Sequence, residues 1–226
     1  VVPLWDPQLA AAEVRRNAAR GCRPVAFSEL PSWLGLPSIH TRHWDPFFQA
    51  CEESSTVLAV HIGSGTNTVT TSPDAPTVVA ANLIACNSVA SMVDWLFSGV
   101  FDRFPGIQLL YAESQIGWIP YFVERADDTW QTHQWAQGEE RSQRPPSDYY
   151  REHISACFFK DTVGIDLLDR IGEDNVLCET DYPHQDGTFP RSKQVAEELF
   201  GHLPQPTINK IARGNAIKLL GLDFEP

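Results

Sequence analysis

Apolar residues along the chain fall into short blocks, separated by longer stretches with helical spacing. Six blocks predict strands: Val1–Trp5, Pro24–Ser28, Val57–Ile62, Ile107–Ala112, Ile154–Phe159 and Asn175–Thr180. Between them the pattern predicts helices over Asp6–Arg20, Asp45–Ser54, Pro76–Arg103, Tyr121 to about Trp135, Gly164–Ile171, Lys193–Phe200 and Thr207–Leu220. Asp6-Pro7 and Asp45-Pro46 each have the form of a capping carboxylate followed by proline in the first turn. Near-continuous apolar strands alternating with helices predict a parallel sheet covered by helices, an α/β fold. The polar stretch Ala136–Pro146 ends in two prolines. It reads as a surface loop inside one domain, residues 1–226, because the alternation resumes after it.

Six strand–helix units fit an open doubly wound sheet or part of a closed barrel. The open sheet carries a glycine-rich phosphate loop after its first strand. Here the first block runs into Trp5-Asp6-Pro7-Gln8, and the segment after Val57–His61 has neither GxGxxG nor GxxxxGK spacing. A (β/α)8 TIM barrel, normally about 250 residues long, with two units outside the 226-residue chain is the better account.

Composition narrows the function classes. With 17 Lys and Arg against 29 Asp and Glu, the formal charge of −12 argues against nucleic acid or an anionic membrane as the main partner. Five cysteines without a CxxC pair fit buried thiols in a reducing cytoplasm. The longest apolar run, Val78–Val100, is broken by Asn82, Asn87, Ser88, Ser91 and Asp94, which predicts a core helix rather than a membrane span.

Catalytic groups of parallel α/β folds sit where strands end and loops converge. Those ends carry Asp6, Glu29, His61, Glu113, Lys160, Asp161, Asp181 and His184, where a plain turn would use Gly, Asn or Ser. His61 and Asp181, on separate strand ends, suit a divalent metal of the zinc or manganese type. The same placement also suits a hydrogen-bonded pair or two loop caps. Strand periodicity puts Glu179 on the face of Asp181, one layer deeper, where a carboxylate needs a cation or a partner. His40 and His43 lie in a loop above the expected mouth and are candidate substrate contacts, as are His184 and Trp118; surface or packing roles are the alternatives.

The segments VLAVHIGSG, LLYAESQIGWIPYFVERAD, VLCETDYPH and NAIKLLGL resemble the amidohydrolase superfamily, in the branch of 2-amino-3-carboxymuconate-6-semialdehyde decarboxylase and γ-resorcylate decarboxylase. The similarity runs along essentially the whole chain in order. It implies a TIM barrel with His61 as the strand-five ligand and Asp181 as the strand-eight ligand, so that the six blocks would be strands three to eight. It further implies a metal-dependent hydrolase or non-oxidative decarboxylase of a small carbonyl or carboxylate substrate, with zinc or manganese as cofactor. The family's first-strand ligand pair has no counterpart, and the His-Gly-Gly position after strand six holds Glu113, a candidate acid–base or supporting group. Asp181 would also activate water. The alternative is a catalytically silent fragment with an incomplete metal site. Exposed barrel edges lead us to expect a homodimer.

Overall fold

Five of the six predicted strands form. In the computed structural model, which describes residues 2–138 and 142–224, they are β1 (Pro24–Phe27), β2 (Val57–His61), β3 (Leu109–Ala112), β4 (Ile154–Phe158) and β5 (Val176–Cys178). All neighbours are parallel, in the order β1-β2-β3-β4-β5. A doubly wound sheet reverses its strand order at a switch point. Uninterrupted sequential order with intervening helices is instead the topology of consecutive units of a TIM barrel.

The remaining predicted strand, Val1–Trp5, needs correction. Residues 2–5 pass through a turn closed by the Asp6 amide on the Pro3 carbonyl, and Trp5 stands exposed. Pro3 has no N–H to give a ladder. Val1, and Glu139–Arg141 within the expected loop 136–146, lie outside the described residues. Ser142 is pinned to the core, its Oγ donating to the Leu96 carbonyl at 2.8 Å.

The helices are α1 (Pro7–Ala18), α2 (Asp45–Glu53), α3 (Thr77–Leu83), α4 (Ala85–Leu96), α5 (Val100–Arg103), α6 (Ile119–Thr132), α7 (Pro146–His153), α8 (Thr162–Asp166), α9 (Leu168–Ile171), α10 (Ser192–Phe200), α11 (Gln205–Asn209) and α12 (Asn215–Leu220). Asp6 caps α1 by accepting the Gln8 and Leu9 amides. Asp45 does not repeat this. It lies inside α2 and pairs with Arg42 and Arg103. The predicted helix 76–103 divides into three; α4 ends at Leu96, and Gly99, with φ of 68°, caps the start of α5. Thr77–Leu96 is apolar and long enough to cross a membrane by length and composition. In the fold, α4 buries Met92, Trp95 and Leu96 in the core.

Strand alternation separates two faces. Leu58, Val60, Leu109, Tyr111, Ile154, Ala156, Phe158 and Val176 join the main core under the helices. An aromatic group there, Phe27, Trp44, Phe47, Phe48 and Trp95, packs edge-on and stacked at 5.2–6.4 Å between centroids. On the opposite, inner face Val57, Leu110, Cys157 and Leu177 form a small apolar layer closed by Ala216, Leu219 and Leu220 around α12. Toward the strand carboxyl ends this face continues through Ala59 and Ala112 to polar groups: His61, Glu179 and Asp181, joined by Glu113 where the backbone turns after β3.

Candidate functional site

His61 is the last residue of β2, in register with Ala112 of β3, so Glu113 follows immediately beside it. Its Nε2 lies 2.7 Å from Glu113 Oε1, and its Nδ1 lies 2.7 Å from the Ile62 carbonyl. A backbone carbonyl on Nδ1 fixes the ring with Nε2 facing the carboxylates, the arrangement that orients metal-binding imidazoles. Across the cleft, Asp181 Oδ2 holds His184 Nδ1 at 2.8 Å. Asp181's side chain is only 7% exposed, against 53% for His61 and 56% for His184. Two histidine–carboxylate pairs therefore meet at the ends of β2, β3 and β5.

Both imidazoles are biased toward the protonated form. For His61, burial opposes the charge, but the Ile62 carbonyl and the Glu113 and Glu179 carboxylates outweigh it and raise the pKa. For His184 the hydrogen bond to Asp181 raises it. One layer deeper, burial pushes the Glu179 carboxyl up to about 7, helped by the nearby Glu113 and Asp181 charges. Its Oε1 accepts the Glu113 amide at 2.8 Å, so the expected partner of this deep carboxylate is a backbone N–H.

The backbone around these groups is strained. Glu113, Gln115 and Asp181 have φ of 62°, 56° and 52°, in the left-handed region that costs non-glycine residues about 1 kcal/mol or more. Asp161 steadies this turn: its Oδ2 accepts the Ile116 and Gly117 amides at 2.7 and 2.6 Å, and its Oδ1 accepts that of Gly164 at 2.8 Å. Gly164 must stay small, since a Cβ there would lie 2.3 Å from Ile116 Cγ1. Lys160 Nζ donates to the Asp186 carbonyl at 2.7 Å, tethering the loop that follows Asp181.

A cleft of about 490 Å³ opens over the four groups. Ile62, Ala81, Ile84, Ala85 and Phe159 form its apolar side; Asn82, Ser114, Gln115 and Asp186 add polar groups beside the two pairs. The wall from α3 and α4 has no counterpart in the sequence reading. Its only signal is the apolar run near residue 80, on a helix that buries no residue of its own within Thr77–Leu83.

Other expected site residues are placed elsewhere. His40 Nε2 contacts Asp94 Oδ1 at 2.5 Å, and that hydrogen bond raises its pKa. His43 packs edge-on against Trp44. Trp118 donates Nε1 to the Ser114 carbonyl at 2.9 Å and packs against Phe122 and the core. None of the three lines the cleft. Glu29 is buried beneath the loop after β2, its Oε1 accepting Ser88 Oγ at 2.7 Å.

Solved structures share this fold. The 5-carboxyvanillate decarboxylase of Sphingomonas paucimobilis matches with TM-score 0.76 and 20% identity, over 96% of this chain and 64% of its own. An amidohydrolase of Mycobacterium avium subsp. paratuberculosis K-10 matches with TM-score 0.78 and 23% identity, over 97% and 57%. A dihydroxybenzoic acid decarboxylase of Polaromonas sp. JS666, solved with manganese and the inhibitor 2-nitroresorcinol, matches with TM-score 0.75 and 19% identity, over 100% and 69%. The chain thus spans between about half and two thirds of the first two proteins' lengths. The amidohydrolase family model matches residues 1–222, and the chain belongs to that family of enzymes.

Proposed function

We propose that the protein is a metal-dependent carbon–carbon lyase of the amidohydrolase family, removing carbon dioxide from a small, ring-sized carboxylate. Hydrolysis of a small carbonyl compound is the other chemistry the same centre supports. The observation that carries the reading is the convergence of His61, Glu113, Asp181 and His184 on one cleft. Donor atoms of Glu113, Asp181 and His184 lie within 4.8 Å of one another, and His61 Nε2 is 2.7 Å from Glu113. Mixed imidazole and carboxylate donors this close fit a single divalent ion of the manganese or zinc class. Decarboxylases that share the fold contain manganese, which favours manganese over zinc.

In this reading His61, Asp181 and Glu113 hold the ion, and His184 stands beside it through its bond to Asp181. Bound there, a divalent ion would polarise a substrate oxygen and lower the pKa of water. His184, whose pKa the hydrogen bond to Asp181 raises, would face a substrate carboxylate at the cleft mouth. Ile62, Ile84 and Phe159 would receive the carbon skeleton and exclude water from it. The proton that His61 holds against Glu113 leaves as the centre loads.

A silent homologue is the second reading. It is favoured by the way each histidine is already satisfied by a carboxylate. Metal analysis after dialysis against trace Mn²⁺ separates the two. Stoichiometric metal that is lost in His61→Ala and Asp181→Asn, but retained in His184→Ala, supports the enzyme; unchanged metal in the first two overturns the ligand assignment. Release of labelled carbon dioxide from a panel of hydroxybenzoates, dependent on Mn²⁺, then tests the reaction. We also propose a cytosolic homodimer, in keeping with five free cysteines and two open sheet edges; light scattering reporting a monomer would refute the dimer.

A further inference from the structure

Glu179 is not among the residues that line the cleft, yet it joins the segment that carries Asp181 to the turn that carries Glu113. It precedes Asp181 by two residues on the strand-end segment following β5, and its own amide extends the β4–β5 ladder by donating to the Phe158 carbonyl at 2.9 Å. From there its carboxylate reaches across β4, over the Cys157 thiol, to the Glu113 amide at the end of β3, 2.8 Å away. That amide belongs to the residue whose left-handed backbone turns its own carboxylate onto His61. Glu113 would relax toward ordinary strand geometry if nothing held its N–H inward, because a non-glycine residue gains energy by leaving that region. A half-buried carboxylate accepting a backbone N–H is among the stronger hydrogen bonds a fold can use.

We infer that Glu179 is a positioning residue: a strut from β5 to β3 that fixes the left-handed turn at Glu113 and so sets the spacing between the Glu113 and Asp181 donors. The inference rests on the reading of this cleft as a metal centre. Glu179 acts through Glu113 rather than on the ion.

The test uses the full chain with Glu179→Gln and Glu179→Ala, reading Mn²⁺ affinity by electron paramagnetic resonance and Glu113 amide exchange in metal-free protein. Gln keeps an acceptor oxygen in place, whereas Ala removes it. We expect E179A to lose at least about tenfold more Mn²⁺ affinity than E179Q, on the scale seen for groups that orient ligands. The Glu113 amide should exchange slowly in wild type and E179Q and at least about tenfold faster in E179A, since a lost acceptor opens the turn. Equal losses of affinity in the two variants would mean that Glu179 acts by charge or direct ligation, and would overturn the strut. A wild type that binds no Mn²⁺ removes the metal reading alone; amide exchange still decides the strut. Should E179A fail to fold, Glu179→Asp, whose carboxylate falls short of the amide, takes its place. An unprotected Glu113 amide in wild type overturns the inference without any variant.

Discussion

Replacing Glu179 by Gln removes a half-buried charge while leaving the acceptor of the Glu113 amide, so its effect on stability has a definite sign and pH range. The carboxyl is displaced from 4.5 to about 7, chiefly by burial. A raised carboxyl pKa means that the native state takes up a proton more readily than the unfolded chain. Wild-type stability therefore holds its full value from this group below pH 4.5, falls as the pH rises from there to about 7, and levels off above. At about 1.4 kcal/mol per pH unit the full cost is about 3 kcal/mol; residual solvent contact brings it to roughly 2 kcal/mol. E179Q carries no such cost at any pH. Urea unfolding followed by tryptophan fluorescence in EDTA should show the two proteins nearly equal at pH 5. By pH 8, E179Q should be more stable by about 2 kcal/mol, a gap large enough to resolve by linear extrapolation. His184 titrates in both proteins, whereas His61 loses the support of the Glu179 charge in E179Q, which offsets part of the gain while His61 is charged. Saturating Mn²⁺ should narrow the gap, because a nearby cation favours the wild-type carboxylate. A gap that is absent at pH 8, or equal at pH 5 and pH 8, would refute the assignment of buried charge to Glu179.

Mn²⁺ at 100 times its dissociation constant should add about 2.7 kcal/mol to stability. That is a rise of roughly 5–10 °C in Tm by scanning calorimetry, and none in Asp181→Asn. Asp161→Ala should destabilise by about 3 kcal/mol in urea, since three backbone amides lose a charged acceptor. Asp161→Asn should cost less. Gly164→Ala should cost about 1–3 kcal/mol by the same assay, because its Cβ would meet Ile116 and Asp161 in a buried turn; an unchanged midpoint would show that the turn yields.

The strands from β1 to β5 were legible because each is buried on its helix-facing side, which leaves an apolar alternation that survives in the sequence. The block Val1–Trp5 carries the same composition, but over residues 2–5 Pro3 and the cap at Asp6 commit the chain to a turn. The strand-end rule found the groups that meet in the cleft, but it also gathered Asp6, Glu29, Lys160 and Asp161. Position at a strand end says which way a side chain can point. It does not say whether a nearby backbone N–H or hydroxyl will claim it, as Leu9, Ser88 and Ile116 do. His40 and His43 were out of reach for a related reason: loop distance in sequence does not give direction in space. The α3 wall leaves only an apolar run without a buried stripe, because α3 buries none of its residues and meets the cleft through Ala81 and Asn82.

Local rules are broken in a way that coincides with the centre. Among the described residues, five non-glycine residues have positive φ, and three of them are Glu113, Gln115 and Asp181. Strained backbone persists only where surrounding contacts over-determine it. Here the restraints are identifiable: Asp161 holds the amides after Gln115, Glu179 holds that of Glu113, and the His184 amide closes on the Asp181 carbonyl at 2.8 Å. Two of these restraints are themselves buried or half-buried carboxylates, which raises the local negative charge beneath Glu113 and Asp181. A turn needing acidic anchors around acidic donors is costly as pure architecture, because like charges oppose one another. The cost is offset once a cation enters. The strain and the charge therefore point to one physical cause, a site shaped to hold a positive ion.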